Sequence, residues 1–180
     1  MRLELKDIKG GELEQGYTCS LGEFPDLDVV AAEGGPKFGE PLVFRLRFQR
    51  LGQLVEADGC LDALVTLKCG RCLQTFEQSL SEVFALTFVP LLKDDETEEE
   101  VELETDELGL ISYENEVLEL QKPLQEQLLM AVPISPICKT SCRGLCHVCG
   151  TNLNVETCDC VKKVFNNKFN VLANIDFKKS

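Results

Sequence analysis

Eight cysteines in four close pairs constrain this chain more than any other feature. Cys69-Gly70-Arg71-Cys72 is a C-x2-C pair, Cys138 and Cys142 form a C-x3-C pair, Cys146 and Cys149 form a second C-x2-C pair, and Cys158-Asp159-Cys160 completes the set. Two thiolates so close on a tight turn can meet one tetrahedral ion, and four pairs supply two complete sets of four sulfur ligands. Six cysteines in the 23 positions 138–160, with Gly144 and Gly150 among them, are too dense for a regular helix or strand and suit a loop folded around metal. The pattern predicts two Zn2+ ions held by Cys69, Cys72, Cys138, Cys142, Cys146, Cys149, Cys158 and Cys160.

How the pairs combine is open at this level. Cys146, Cys149, Cys158 and Cys160 lie within fifteen residues and can close one compact site, which leaves Cys69, Cys72, Cys138 and Cys142 for a long-range site. The alternative joins the two C-x2-C knuckles, Cys69/Cys72 with Cys146/Cys149, as in a zinc ribbon.

Other uses of cysteine fit less well. The N-terminus, Met-Arg-Leu-Glu-Leu-Lys-Asp, offers no apolar stretch of the signal-peptide kind, so a cytoplasmic chain with reduced thiols is expected rather than a disulfide framework. The spacings match no common ferredoxin run. A thioredoxin-like pair would stand between a strand and a helix, whereas Cys69 and Cys72 are flanked by strand-like sequence. Catalytic zinc keeps an open position and usually mixes histidine or carboxylate ligands. The single histidine, His147, sits inside a knuckle, and there is no H-E-x-x-H, no G-x-S-x-G and no phosphate-binding glycine loop. The chain is therefore expected not to be an enzyme. Cys19 and Cys60 have no partner at ligand spacing and read as ordinary thiols.

The formal charge of −13 is concentrated. Asp94–Glu107 holds ten carboxylates in fourteen positions with no Lys or Arg, leaving only −3 on the other 166 residues, and Cys138–Ser180 carries +4. Electrostatics alone therefore does not mark an RNA binder. The acidic run reads as a solvated connector, with an RNA-mimicking arm that holds a basic ribosomal protein or an RNA-binding partner as the sharper alternative.

Around these features, Leu42–Phe48 and Leu61–Leu67 show strand-like alternation, and Phe76–Val89 reads as a further extended run. Gly52 and Asp58-Gly59 read as turns, and Leu3–Leu5 and Leu27–Ala31 as added strands. Apolar residues at 120, 124, 128, 129 and 132 predict a helix within Leu118–Val132, ended by Pro133 and Pro136, and Phe165–Ile175 reads as a final helix or turn. The expected fold is α+β: an antiparallel sheet or half-barrel, a short helix and a cysteine-rich zinc-binding C-terminal module. The expected division is a β domain over 1–92, an acidic flexible connector over 93–107, and the helix with the zinc module over 108–180. No apolar run reaches the roughly 18 residues of a membrane span.

The ordered combination of Cys69-Gly70-Arg71-Cys72-Leu73, an acidic stretch, Leu128-Leu129-Met130-Ala131-Val132-Pro133, Cys138, Cys142, Gly144-Leu145-Cys146, Cys149-Gly150, Asn152-Leu153-Asn154 and Cys158-Asp159-Cys160 resembles the YceD family over roughly residues 40–175. His147 stands where that family often has Pro, and Leu118-Glu119-Leu120 where it tends to have Ile-Asp-Leu. The resemblance implies a role in accumulation of large-subunit ribosomal RNA and assembly of the large subunit, with no known catalysis. The partners expected are a ribosomal protein or precursor large-subunit rRNA, with no membrane and no small-molecule substrate. Rival readings are a zinc storage or transfer protein and a redox-sensing thiol protein.

Overall fold

The computed structural model describes residues 1–91 and 109–161. In chain order these form β1 (Arg2–Glu4), β2 (Glu12–Cys19), α1 (Pro25–Ala32), β3 (Lys37–Phe38), β4 (Leu42–Leu51), β5 (Leu54–Lys68), β6 (Thr75–Pro90), β7 (Leu110–Tyr113), β8 (Val117–Glu119) and α2 (Gln121–Met130), with three short 3-10 turns near the N-terminus. The class is α+β. A six-stranded sheet has the order β2-β4-β5-β6-β7 with β3 also paired to β5, and β1 and β8 make a separate two-stranded sheet.

The sheet is built on alternation. Along β5, Val55, Ala57, Leu61, Ala63, Val65 and Leu67 turn inward and are buried, and Phe44, Leu46 and Phe48 of β4 do the same beside them. The outer face carries cross-strand ion pairs, Arg45 with Asp62 and Arg47 with Glu12. Leu3 of β1 and Leu118 of β8 are directly opposite and both buried, and Leu120 at the N-cap of α2 with Leu124 and Leu128 within it complete the same core with no exposure at all. Residues 110–130 therefore pack with the sheet's core rather than with the cysteine-rich segment.

Four expectations are corrected. The sheet is mixed, because β7 runs parallel to β6 with Thr87 opposite Leu110. Residues 91–109 separate the two strands, enough chain to return to the same end, where a tight turn would have enforced antiparallel pairing. There are two α-helices, and Leu27–Ala31 lies in one of them: Pro25 sets the first turn, Asp26 and Asp28 favour its positive end, and these start signals outweigh the strand preference of Val29-Val30. The second helix is shorter than read, since Val117–Glu119 is held extended by pairing with β1. Finally, Asp58-Gly59 is not a turn but the middle of β5. A Cβ at Gly59 would lie 2.5 Å from the Phe84 ring and 2.7 Å from Leu46, so the glycine answers to close packing, not to chain reversal.

The turn at Gly52 is present between β4 and β5, with Leu51 paired to Leu54 and Gly52 at φ +69°. The acidic run Asp94–Glu107 and the C-terminal Phe165–Ile175 lie outside the described residues. Leu91 and Gly109 flank the acidic run at the end of β6 away from Thr75, and the Leu91 amide donates to the Tyr113 carbonyl at 2.9 Å. At roughly 3.3 Å per residue, the β5–β6 ribbon is on the order of 50 Å long, with the first cysteine pair at its other tip.

Candidate metal centres

At that tip the chain turns from Lys68 to Thr75 through a compact knuckle. The Cys69 amide donates to the Gln74 carbonyl and the Leu73 amide to the Cys69 carbonyl, each at 2.9 Å, while the Arg71 amide reaches Cys69 Sγ at 3.4 Å. The same three bonds recur around Cys146. Its amide donates to the Thr151 carbonyl at 2.8 Å, the Gly150 amide to its carbonyl at 2.9 Å, and the Val148 amide to its sulfur at 3.5 Å. In each copy the fifth residue has positive φ, Leu73 at 61° and Gly150 at 76°. This turn points a backbone N–H at the first sulfur, the arrangement that steadies a thiolate ligand.

Backbone bonds zip the first knuckle to the segment that carries Cys138 and Cys142 and leads into the second knuckle. The Gly70 amide donates to the Pro136 carbonyl at 2.8 Å and the Leu145 amide to the Arg71 carbonyl at 3.1 Å. Gly144, at φ +73°, permits this approach, since a Cβ there would be 3.2 Å from the Arg71 carbonyl oxygen. Pairing follows from that placement. The sulfurs of Cys69, Cys72, Cys138 and Cys142 form one quartet, those of Cys146, Cys149, Cys158 and Cys160 another, and within each every ligand atom lies within 4.8 Å of the others. The zinc-ribbon combination of Cys69/Cys72 with Cys146/Cys149 is not the grouping seen. Cys19 is buried at the end of β2 and Cys60 is half-buried in β5, both outside the quartets.

The donor geometry suits a tetrahedral ion. Sulfurs about 2.3 Å from a central ion stand about 3.8 Å apart, and Cys69 Sγ to Cys142 Sγ is 3.9 Å while Cys72 Sγ to Cys138 Sγ is 3.7 Å. A disulfide would need roughly 2 Å, and all ten cysteines are free.

Protonation divides each quartet in two. Amide donors, Cys138 first and then Cys72, pull Cys69 down to about 6 against the effect of burial. Burial opposes the Cys142 thiolate, but the Asn154 side chain and the Gly144 amide outweigh it and lower that thiol. Burial and the neighbouring thiols of Cys142 and Cys72 push Cys138 up to about 12. In the other quartet the Thr151 hydroxyl, 3.2 Å from Cys149 Sγ, draws that thiol down to about 6, and the amides of Cys149 and Val148 lower Cys146. Cys160 rises to about 12 through its contact with Cys149 and through burial. Four negative sulfurs cannot share so small a volume; two protons or one divalent cation neutralise half the charge. A closed four-sulfur set would hold zinc as a structural ion and leave no coordination position for a reacting water.

Asn154 had no assigned role in the sequence. Its Nδ2 donates to Cys142 Sγ at 3.4 Å and to Asn152 Oδ1 at 2.8 Å, and its Oδ1 accepts from the Arg143 amide at 2.8 Å. It thereby ties the loop of the second quartet to a sulfur of the first. Two asparagines two apart between the third and fourth cysteine pairs are the sequence trace of this link, but only the fold shows which sulfur is served.

Comparison with known proteins bears on what this arrangement belongs to. An uncharacterized protein of Mycobacterium tuberculosis is 32% identical over 134 residues, covering 72% of this chain and 58% of the relative. The large ribosomal RNA subunit accumulation protein YCED homolog 1, chloroplastic, of Arabidopsis thaliana is 24% identical over 166 residues, covering 76% of this chain and 49% of that protein. The Zea mays protein of the same description is 27% identical over 139 residues, 62% of this chain and 45% of the relative. The chain thus spans between about half and three fifths of the curated relatives it matches. No solved structure matches it. The family model described as large ribosomal RNA subunit accumulation protein YceD matches residues 57–176, a stretch that contains both quartets, and the chain belongs to the YceD family.

Proposed function

We propose that this protein is a non-enzymatic, zinc-binding factor that supports accumulation of large-subunit ribosomal RNA and assembly of the large ribosomal subunit, acting in the cytoplasm on a ribosomal protein or on precursor rRNA. The family match over residues 57–176 carries the reading of function. Zinc is the reading of the two quartets, with Cys69, Cys72, Cys138 and Cys142 holding one ion and Cys146, Cys149, Cys158 and Cys160 the other. Sulfur-only donor sets with amide and side-chain bonds to the sulfurs favour a metal that shapes a surface over one that performs hydrolysis. Among the described residues no helix is long and apolar enough to cross a membrane.

The test has two arms. Deleting the gene lowers mature large-subunit rRNA relative to small-subunit rRNA, and a plasmid copy restores it; an unchanged ratio overturns the functional reading. Protein purified without added metal carries close to two zinc equivalents, and a zero content with freely titratable thiols overturns the metal reading. Zinc that exchanges rapidly with a metal-free acceptor protein would instead identify a carrier.

A further inference from the structure

Resting on the proposed role in rRNA accumulation, the geometry points to the rim of the first cysteine quartet as a surface that docks the phosphate backbone of RNA. Each of its four cysteines has a cation as sequence neighbour: Lys68 before Cys69, Arg71 before Cys72, Lys139 after Cys138 and Arg143 after Cys142. All four cations are exposed. Arg2, Lys6, Arg45, Arg47 and Arg50, all in or beside strands, engage carboxylates, whereas among the described residues the four rim cations form no ion pair.

The two stretches of sequence that carry these cations hold no carboxylate in a chain that has 31 of them, and Glu77, opposite Thr66 on the ribbon, stands at their edge. None occurs between Asp62 and Glu77, and none between Glu126 and Glu156. The fold brings these two acid-free stretches together through the Gly70–Pro136 and Leu145–Arg71 backbone bonds. Arg71 also lays its guanidinium against the second stretch, donating from Nη1 to the Cys142 carbonyl at 3.2 Å. Given sulfurs within 4.8 Å of one another, the four cationic residues have Cα atoms within roughly 18 Å, a bound set by side-chain reach and one 3.8 Å backbone step each. That is a span of several consecutive phosphates.

Neutralising the quartet does not account for all of this charge. A divalent ion in four thiolates leaves −2, so the rim retains a net positive charge of +2. The second quartet sets the contrast: no Lys or Arg adjoins any of its cysteines, Asp159 lies between two of them, and Glu156 and Lys162, each two residues from a ligand, offset one another. A polyanion is attracted at one quartet and repelled at the other, which orients it. Arginine's planar fork suits phosphate oxygens, and lysine supplies a point charge.

The test measures binding of a fluorescein-labelled RNA hairpin to the full-length, zinc-loaded chain by anisotropy across a salt series. The wild type binds with a log–log salt slope of about 3, as expected for three to four phosphate contacts. Lys139→Gln with Arg143→Gln weakens binding at low salt about tenfold and reduces the slope by about 2, with zinc content unchanged. Lys9→Gln with Lys122→Gln, remote from the rim, binds as the wild type does. Equal binding by the rim variant, no RNA binding by the wild type at about 50 mM salt, or preference for polyglutamate over RNA overturns the proposal. In cells lacking the gene, full rescue of rRNA by the rim variant overturns the rim while leaving the functional reading intact. Unchanged rRNA on deletion overturns the functional reading, and the anisotropy series still decides whether the rim binds RNA.

Discussion

At the scale of single residues, the two knuckles offer a controlled comparison, because they share one hydrogen-bond pattern and differ at the residue with positive φ. Gly150 adopts 76° without a Cβ penalty, whereas Leu73 holds 61° with a side chain that is half exposed. A left-handed conformation costs an L-residue about 1–2 kcal/mol, and glycine's extra freedom in the unfolded chain returns part of that. Leu73→Gly is therefore expected to change stability by less than about 1 kcal/mol, while Gly150→Ala destabilises by about 1–2 kcal/mol. Thermal melts of the zinc-loaded variants check this, and equal losses from both changes would contradict the shared-turn account. The glycine after Cys149 was legible in sequence as a knuckle residue. Leu73 was not, since nothing in a leucine's identity signals positive φ; the tertiary bonds from Gly70 and to Arg71 hold that turn in place.

The elements show where sequence patterns were read correctly and where a second force intervened. The Leu61–Leu67 part of β5 is visible in the sequence as alternation, Phe76–Val89 of β6 as an extended run, and α2 as a spacing of apolar residues that buries Leu124 and Leu128 with Leu120 at its N-cap. Asp58-Gly59 misled because an aspartate–glycine pair marks a hairpin only when chain reversal is what requires the glycine; here the Phe84 ring requires it. The eight cysteines stand out in the sequence by their short spacings, whereas their grouping into two quartets depends on tertiary contacts such as that of Gly70 with Pro136. Burial then separates the two quartets. In the first, Cys69, Cys72 and Cys142 are buried and Cys138 is half-buried, whereas in the second Cys149 is exposed and Cys158 and Cys160 are half-buried. A competing chelator has to reach a sulfur-bound ion from outside, so the second quartet should release its zinc first. Titration with a chromogenic chelator should give two phases of about one equivalent each, and Cys149→Ser should abolish the fast one. Loss of the slow phase instead would reverse the order.

For the molecule as a whole, the question is how far the fold depends on metal. The first quartet clips the tip of the ribbon to the segment after α2, and if β5 and β6 were joined to that segment by nothing else, losing the ion would free it. The pairing of β7 with β6 and of β1 with β8, together with α2 in the common core, supplies that attachment independently. The largest buried side chains, among them Phe24, Phe44, Phe48 and Phe88, lie in this core and not around the sulfurs. Burying each such side chain contributes about 1.5–3 kcal/mol, which does not pass through the metal. The cysteine-rich segment is the opposite case: from Cys138 to Cys160 it has no helix, one isolated bridge between Leu145 and Asn152, and few buried residues besides its ligands. On the zinc reading, its order rests on the ions. Removing both metals should therefore collapse amide protection across 138–160 and at the 69–74 turn, while β4, the Leu54–Ala63 part of β5, and α2 keep theirs. Hydrogen exchange with and without chelator measures this directly, and loss of protection everywhere in one transition would show that the ions hold the entire fold. Cys69→Ser makes the finer cut: one zinc lost, protection reduced at the ribbon tip, and the sheet core unchanged.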